Sequence, residues 1–532
     1  MKISICILAV SLLIGCTPSK PTTEETQLGD LQHTFSISEV ARPAFDEGLL
    51  LLHSFEYEDA REAFQKSAEA DSNELMAHWG LAMTHYKALW GLQDVEAGRK
   101  VLNVVGDTQA DRLAKAENQL EQDFWLGVEI LYGEGELDER NQAYVEHMAK
   151  VYDENPGNQE VAAFFSLGLM WAGYYEQEYL NRSAEVAAGI IEENPTHPGA
   201  LHYMIHANDD PAYAQIALNA ANKYAKVAPD ATHALHMPSH IYVALGMWKE
   251  VVSSNTASYQ ASLKRVERKG LSGKDRGYHS MAWLQYGYLQ LGAYDEAADL
   301  LREMMQYYQD STASLSYLIT MQNQQRIEAG TWPEDLEPIQ VDYTKLGLAD
   351  KSAMHFLNSL IAFDENQPSV IENEISILKD HLNRAGLLVN DQGIALCSAG
   401  PTRYAPSEES MKKTQVVIYQ MESLLAQLKN NKVLAEQHLV AATKLEGESS
   451  YDAGPPFIAY PSFEQYGDWL LQQERYEEAL EQFNQSLYYR TNRNKALRGK
   501  LAALKALDKT EEAEKVQKII DEYATDKIIT KS

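Results

Sequence analysis

The stretch GLLLLHSFEYEDAREAFQKS, residues 48–67, decides the fold. It places Gly48, Tyr57, Ala60 and Phe64 at positions 8, 17, 20 and 24 of a unit that starts at Ala41. Small residues at 8 and 20 let two antiparallel helices approach closely, and the aromatic at 24 fills the seam to the next unit. The same beat returns near the C-terminus. Tyr466, Gly467, Tyr476, Ala479 and Phe483 hold positions 7, 8, 17, 20 and 24 of a unit starting at Tyr460. The next unit starts 34 residues later at Asn494, with Ala513 at position 20. In the middle, Pro195 and Pro229 are 34 apart, and Ala217, Ala221 and Pro229 fit positions 20, 24 and 32 of a unit starting at Pro198. A proline at 32 stops the second helix of a unit. Gly292, Ala293, Tyr294 and Ala297 mark another helix–turn–helix junction in register.

A 34-residue period with these residues resembles the tetratricopeptide repeat. The fold implied is all-α, a tetratricopeptide-like α-solenoid of antiparallel helix pairs. It fits a chain of 532 residues, 45% hydrophobic, which is long for one ordinary domain but natural for a repeat array. The expected layout is a signal peptide over 1–15, a flexible tether over 16–36 and an N-terminal array over 37–340. A degenerate helical region with long loops follows over 341–459, then C-terminal repeats over 460–532. Residues 111–130, 354–363, 369–385 and 411–428 read as further helices by their apolar spacing. Period-two alternation is missing, so no sheet is expected. Three breaks stand out: a basic, Gly-rich one at 267–277, and Gly- and Pro-containing ones at 387–407 and 447–461.

The first residues are an address rather than fold. Lys2 precedes a twelve-residue apolar run, too short to span a bilayer, which ends Leu13-Ile14-Gly15-Cys16. This resembles the lipobox of bacterial lipoproteins, which implies cleavage before Cys16 and a lipid on its thiol. The location implied is the cell envelope, and the outer membrane in a Gram-negative source because Thr17 rather than Asp follows the cysteine. The net charge of −31 repels phosphate backbones and anionic lipid, so nucleic acid is not an expected partner and contact with the membrane is expected through the lipid alone. Of the three cysteines, Cys6 leaves with the signal and Cys16 is the anchor, which leaves Cys397 without a disulfide partner.

Chemistry concentrates in one place. Of 15 histidines, six fall within 44 residues: His197, His202, His206, His233, His236 and His240. His202 with His206, and His236 with His240, have the i, i+4 spacing that puts two imidazoles on one helix face, where they can grip one ion. The 34-residue offset stacks the two pairs on neighbouring first helices, so these four are the candidate metal ligands. His233, His279, Tyr203, Tyr242, Asp209 and Asp210 form the expected outer shell. Imidazole-only ligation favours Zn, Cu or Ni over Ca or Mg. Pro238 works against the second pair: if a helix begins there, His236 precedes it and the common face is lost. Nitrogen separations of about 3–5 Å between residues would mark a metal site. The alternative is a set of structural histidines, or a peptide site without metal.

The segments Ala77-His78-Trp79-Gly80-Leu81-Ala82, His202-Tyr203-Met204-Ile205-His206-Ala207 and His236-Met237-Pro238-Ser239-His240-Ile241 also resemble a family of bacterial tetratricopeptide proteins, many of them exported, with no established activity. No phosphate-binding glycine loop, serine nucleophile elbow, HExxH or haem-attachment motif is found. The leading expectation is therefore a non-catalytic, lipid-anchored scaffold that holds a protein or peptide in its concave groove. Enzyme status stays open through the alternative of a metal-binding or metal-dependent protein built on the groove histidines. A glycan-binding outer-membrane lipoprotein is the third reading.

Overall fold

The computed structural model describes residues 26–173, 176–386 and 407–524. Those residues are almost entirely α-helical, and consecutive helices pack against each other as antiparallel pairs. The first pair is Arg42–His53 with Tyr57–Ala70. Its turn passes through Phe55 at φ 55°, a left-handed conformation that Asn366, Asn430 and Asn492 adopt at other turns.

The repeat's packing logic is visible at Phe64. A Cβ on Gly48 would lie 2.9 Å from its ring, and one on Gly80 of the following helix 2.4 Å. Phe64 thus sits between two glycines of successive units, fully buried. Phe483 repeats the device between Gly467 and Gly499, where a Cβ would meet the ring at 2.8 and 2.3 Å. Tyr144 does the same between Gly127 and Gly168, at 3.0 and 3.1 Å.

Several local expectations are corrected. Residues 111–130 are not one helix: Gln109–Leu113 and Gln119–Leu131 are separate, because Asn118 accepts a bond from the Glu121 amide at 3.0 Å and starts a new helix. A two-residue hairpin pairs Tyr86 with Gln93 and Lys87 with Leu92, where no strand was expected. The basic break at 267–277 begins inside a helix. Trp248–Lys269 runs into it and stops at Gly270, φ 62°. Its last turn docks on the first unit, with Arg265 and Lys269 bonding Asp59 at 2.5 and 2.7 Å. The tether expected over 16–36 is shorter at its far end. Leu28 and Phe35 are buried, and the Asp30 amide donates to the Thr196 carbonyl at 3.2 Å. The helices expected at 354–363, 369–385 and 411–428 fall inside Leu348–Asp364, Pro368–Gly386 and Glu408–Leu428. Cys16, Cys397, and most of the break at 387–407 lie outside the described residues.

The C-terminal repeats return to the middle of the array. Trp248 donates its indole N–H to the Asn492 carbonyl at 2.9 Å, and Tyr523 its hydroxyl to the Gly246 carbonyl at 2.8 Å. Arg493 is the centre of this closure and is fully buried. It bonds Glu464 at 2.7 Å, Tyr286 at 2.8 Å and the Ala459 carbonyl at 3.1 Å, and forms an ion pair with Glu328. Burial opposes its charge, but Glu328 and Glu464 outweigh that and hold the guanidinium protonated. The 447–461 break reaches inward as well: a Cβ on Gly454, φ 84°, would lie 2.1 Å from the Trp283 ring.

Candidate metal centre

The helix Pro198–Ala207 begins at a proline, with His197 as its N-cap accepting from the Ala200 amide at 3.2 Å. His202 and His206 therefore stand on one face. The second pair sits on Thr232–His236 and Pro238–Ala244. A new helical segment does start at Pro238, but Met237 keeps helical dihedrals, φ −52° and ψ −37°. The proline removes one hydrogen bond without turning the chain aside, so the common face survives. His236 Nε2 and His240 Nε2 are 3.1 Å apart.

The histidines form two trios rather than one set of four. His202, His206 and His233 converge, as do His236, His240 and His279, with the ligand atoms of each trio within 4.8 Å of one another. His233 Nε2 lies 3.2 Å from His202 Nε2, and His279 Nε2 lies 2.9 Å from His236 Nε2. His233 and His279, expected in an outer shell, are thus in the inner ring. Three imidazoles around an ion at about 2.0–2.1 Å would bring their nitrogens about 3.3 Å apart.

The protons can be located. Asn255 donates its amide N–H to the Val251 carbonyl at 2.9 Å, which turns its oxygen toward His236 Nδ1, 2.7 Å away. His236 Nδ1 therefore donates, and its Nε2 carries a lone pair. His240 Nδ1 donates to Asp209 Oδ2 at 2.5 Å, and His202 Nδ1 to the His53 carbonyl at 2.7 Å. The 3.1 Å contact of His236 with His240 thus brings Nε2 to Nε2, with His279 Nε2 2.9 Å from the same His236 atom. A metal ligand held by a carboxylate, amide or carbonyl on its far nitrogen has this arrangement. Burial is the main cause that lowers four of the rings. It pushes His202 down to about 3, and lowers His233 and His236 well below the ordinary value, helped by neighbouring histidines. His206 is lowered in the same way, and its buried Nε2 has no hydrogen-bond partner.

Aromatic rings wall each trio. Phe55 lies 4.3 Å from His202 and 5.7 Å from His233 by ring centroids, and Trp283 lies 4.8 Å from His236 and 4.5 Å from His240. Of the other expected residues, Asp209 holds His240. Tyr203 turns away to His53 Nδ1 at 2.8 Å, Tyr242 to Asn222 at 2.9 Å, and Asp210 accepts from the Ala212 amide at 2.8 Å. These three are corrections: both tyrosines are buried and spend their hydroxyls on His53 and Asn222 rather than on the trios, and Asp210 closes a turn.

Sequence reasoning missed a third cluster. His53, Glu160 and His197 meet in the core, with His53 Nε2 2.8 Å from Glu160 and His197 Nε2 3.4 Å from it. Burial alone would raise the Glu160 carboxyl. Its contacts with His53 and His197 outweigh that and hold it well below the usual carboxylate range. This cluster backs the first trio, since the His53 carbonyl is the acceptor of His202. Asn255 and Tyr317, which lies 2.9 Å from His279 Nδ1, were also missed. No periodic signal marks them.

Beyond Trp283 lies a cavity of about 500 Å³ lined by Asn323, Gln324, Lys413, Tyr451, Asp452 and Phe457 among others. Both polar atoms of the Gln324 amide are buried without a partner. Tyr451 brings the loop against the end of the first histidine helix: burial, then the charges of Asp209 and others, push its hydroxyl up.

No family model and no curated protein matches the chain. Among solved structures it is similar to yeast Tom70, over 90% of this chain and 92% of that one, at 12% identity and a TM-score of 0.29. It is also similar to Naa15/Naa10 bound to HypK-THB, over 90% and 62%, at 10% identity and a TM-score of 0.24. At these scores the likeness adds nothing to the repeat packing already described.

Proposed function

We propose that this chain is a transition-metal-binding helical-repeat protein, tethered to the cell envelope by a lipid on Cys16. In a Gram-negative host that membrane is the outer one. Each histidine trio holds one ion through three imidazole nitrogens and leaves a coordination position for an outside ligand. The observation that carries this reading is the 3.1 Å contact between His236 and His240, whose far nitrogens are both tied to acceptors. A cation placed among the converging Nε2 atoms of His236, His240 and His279 is coordinated by them. The donors suit Zn, Cu or Ni.

The test is elemental analysis of protein purified without chelator and then supplemented with these metals, beside a His236→Ala/His240→Ala variant checked for helicity. Wild type retains metal and the variant loses the share of its trio. Less than about a tenth of an equivalent in wild type would overturn the reading.

A protein-binding scaffold is the second reading. It draws on Val433 and Val440, 70% and 48% exposed on one helix, and on Tyr488, 75% exposed. A pull-down from envelope extract that is unchanged by Val433→Ser/Val440→Ser argues against it.

A further inference from the structure

The two trios are neighbours. His233 and His236 stand one turn apart on the same helix, with ring centroids 6.1 Å apart. His206 and His240, on adjacent helices, are separated by 5.8 Å. Within the first trio the corresponding separations are 4.8, 5.0 and 6.4 Å. Rings across the divide are thus as close as rings that share an ion. Two ions held by these six nitrogens would sit side by side in one buried space.

Charge then sets a condition. Six imidazoles bring no negative charge to two cations, and like charges a few ångströms apart in a poorly solvated interior repel strongly. Glu56, beside the first trio, accepts the His233 backbone amide at 2.8 Å, and Asp209 is the carboxylate bonded to a ligand imidazole. One of its oxygens is engaged by His240 Nδ1 and the other is buried without a partner. It lies behind the ligand ring rather than between the ions. A negative charge between the ions is left to a ligand from outside. His206, whose Nε2 is buried and without a hydrogen-bond partner, stands at the divide, its ring 5.8 Å from that of His240.

We propose that His202, His206 and His233 with His236, His240 and His279 form a single binuclear centre, whose two ions share a small bridging anion with oxygen or nitrogen donors. This rests on the reading of the trios as metal sites. The ligand class is hydroxide or an anion of azide size, since Phe55 and Trp283 close the flanks with rings 4.3 Å from His202 and 4.5 Å from His240. Copper is the informative ion, because imidazole donors rank it highest among divalent first-row metals.

The experiment loads the full chain with Cu(II) and compares bound copper with its EPR signal, before and after adding azide. The expected result is about two equivalents of copper with most of the EPR signal lost, because a bridge couples the two spins. Azide produces a new charge-transfer absorption that saturates at one azide per pair of ions. His279→Gln, which removes one outer ligand, lowers the copper content and restores the signal of the ion that remains. Two equivalents at full, independent EPR intensity overturn the bridge, as does a single equivalent in wild type; either result leaves metal binding itself standing. No bound copper, zinc or nickel at all overturns both readings.

Discussion

The C-terminal repeats and the histidine-bearing middle of the array are built on one plan and put it to opposite uses. Around Phe483 the inward positions are apolar or small: Gly467, Gly499, Leu470 and Leu504 are buried with it. Around His202 and His236 the helices keep the same pairing, with Ala217, Ala221 and Ala244 in the seams, but the inward face carries imidazoles. Seam positions are constrained by close packing, so they repeat. The inward face is constrained only by what fills it, so it can be given over to ligands. Four of the six histidines there have their far nitrogen held by a residue outside the repeat pattern: the His53 carbonyl, Asn255, Asp209 or Tyr317.

The largest effect should come from breaking what joins the two regions. Arg493→Ala leaves Glu328 and Glu464 buried without their cation, and should cost about 3–5 kcal/mol in a denaturant titration. Phe483→Ala should cost about 3–5 kcal/mol as well, while metal content stays at the wild-type level; a fall in metal content would mean that the two regions are not separable. His202→Ala should do the reverse, removing metal from its trio. Saturating metal at a hundredfold excess over Kd should stabilise wild type by about 2.7 kcal/mol per site and the variant by less, as read by thermal unfolding. Asn255→Ala frees His236 to turn and should weaken metal binding by about 10–100-fold in a competition titration. The smallest change is expected for Lys269→Ala at the docked helix end, within about 1 kcal/mol, since Asp59 keeps Arg265 as a partner and Glu62 is half exposed.

Much of the plan was legible in the chain. Gly48, Phe64, Gly467 and Phe483 stand where their spacing puts them, because repeat seams are local and periodic. The pairs His202 with His206 and His236 with His240 were legible for the same reason. The third ligand of each trio was harder to see. His233 reaches across to His202 from the next unit, and His279 meets His236 from 43 residues away. Glu160 is 107 residues from His53, and neither carries a repeat signature. Pro238 misled through a sound rule, since the missing amide does end one helix, but Met237 holds the chain in line. The return of Arg493 to Tyr286 spans 207 residues, and no local pattern encodes it.

That return has a consequence for the life of the chain. An open solenoid is a spring, with each coil answerable only to its neighbours, whereas this one is a bracelet with a clasp. Synthesis runs from the N-terminus, so every inner-ring histidine is made long before Arg493 arrives to fasten the loop through the Ala459 carbonyl. In the proposed metal-bound protein, an ion could therefore reach the histidines before that clasp is made.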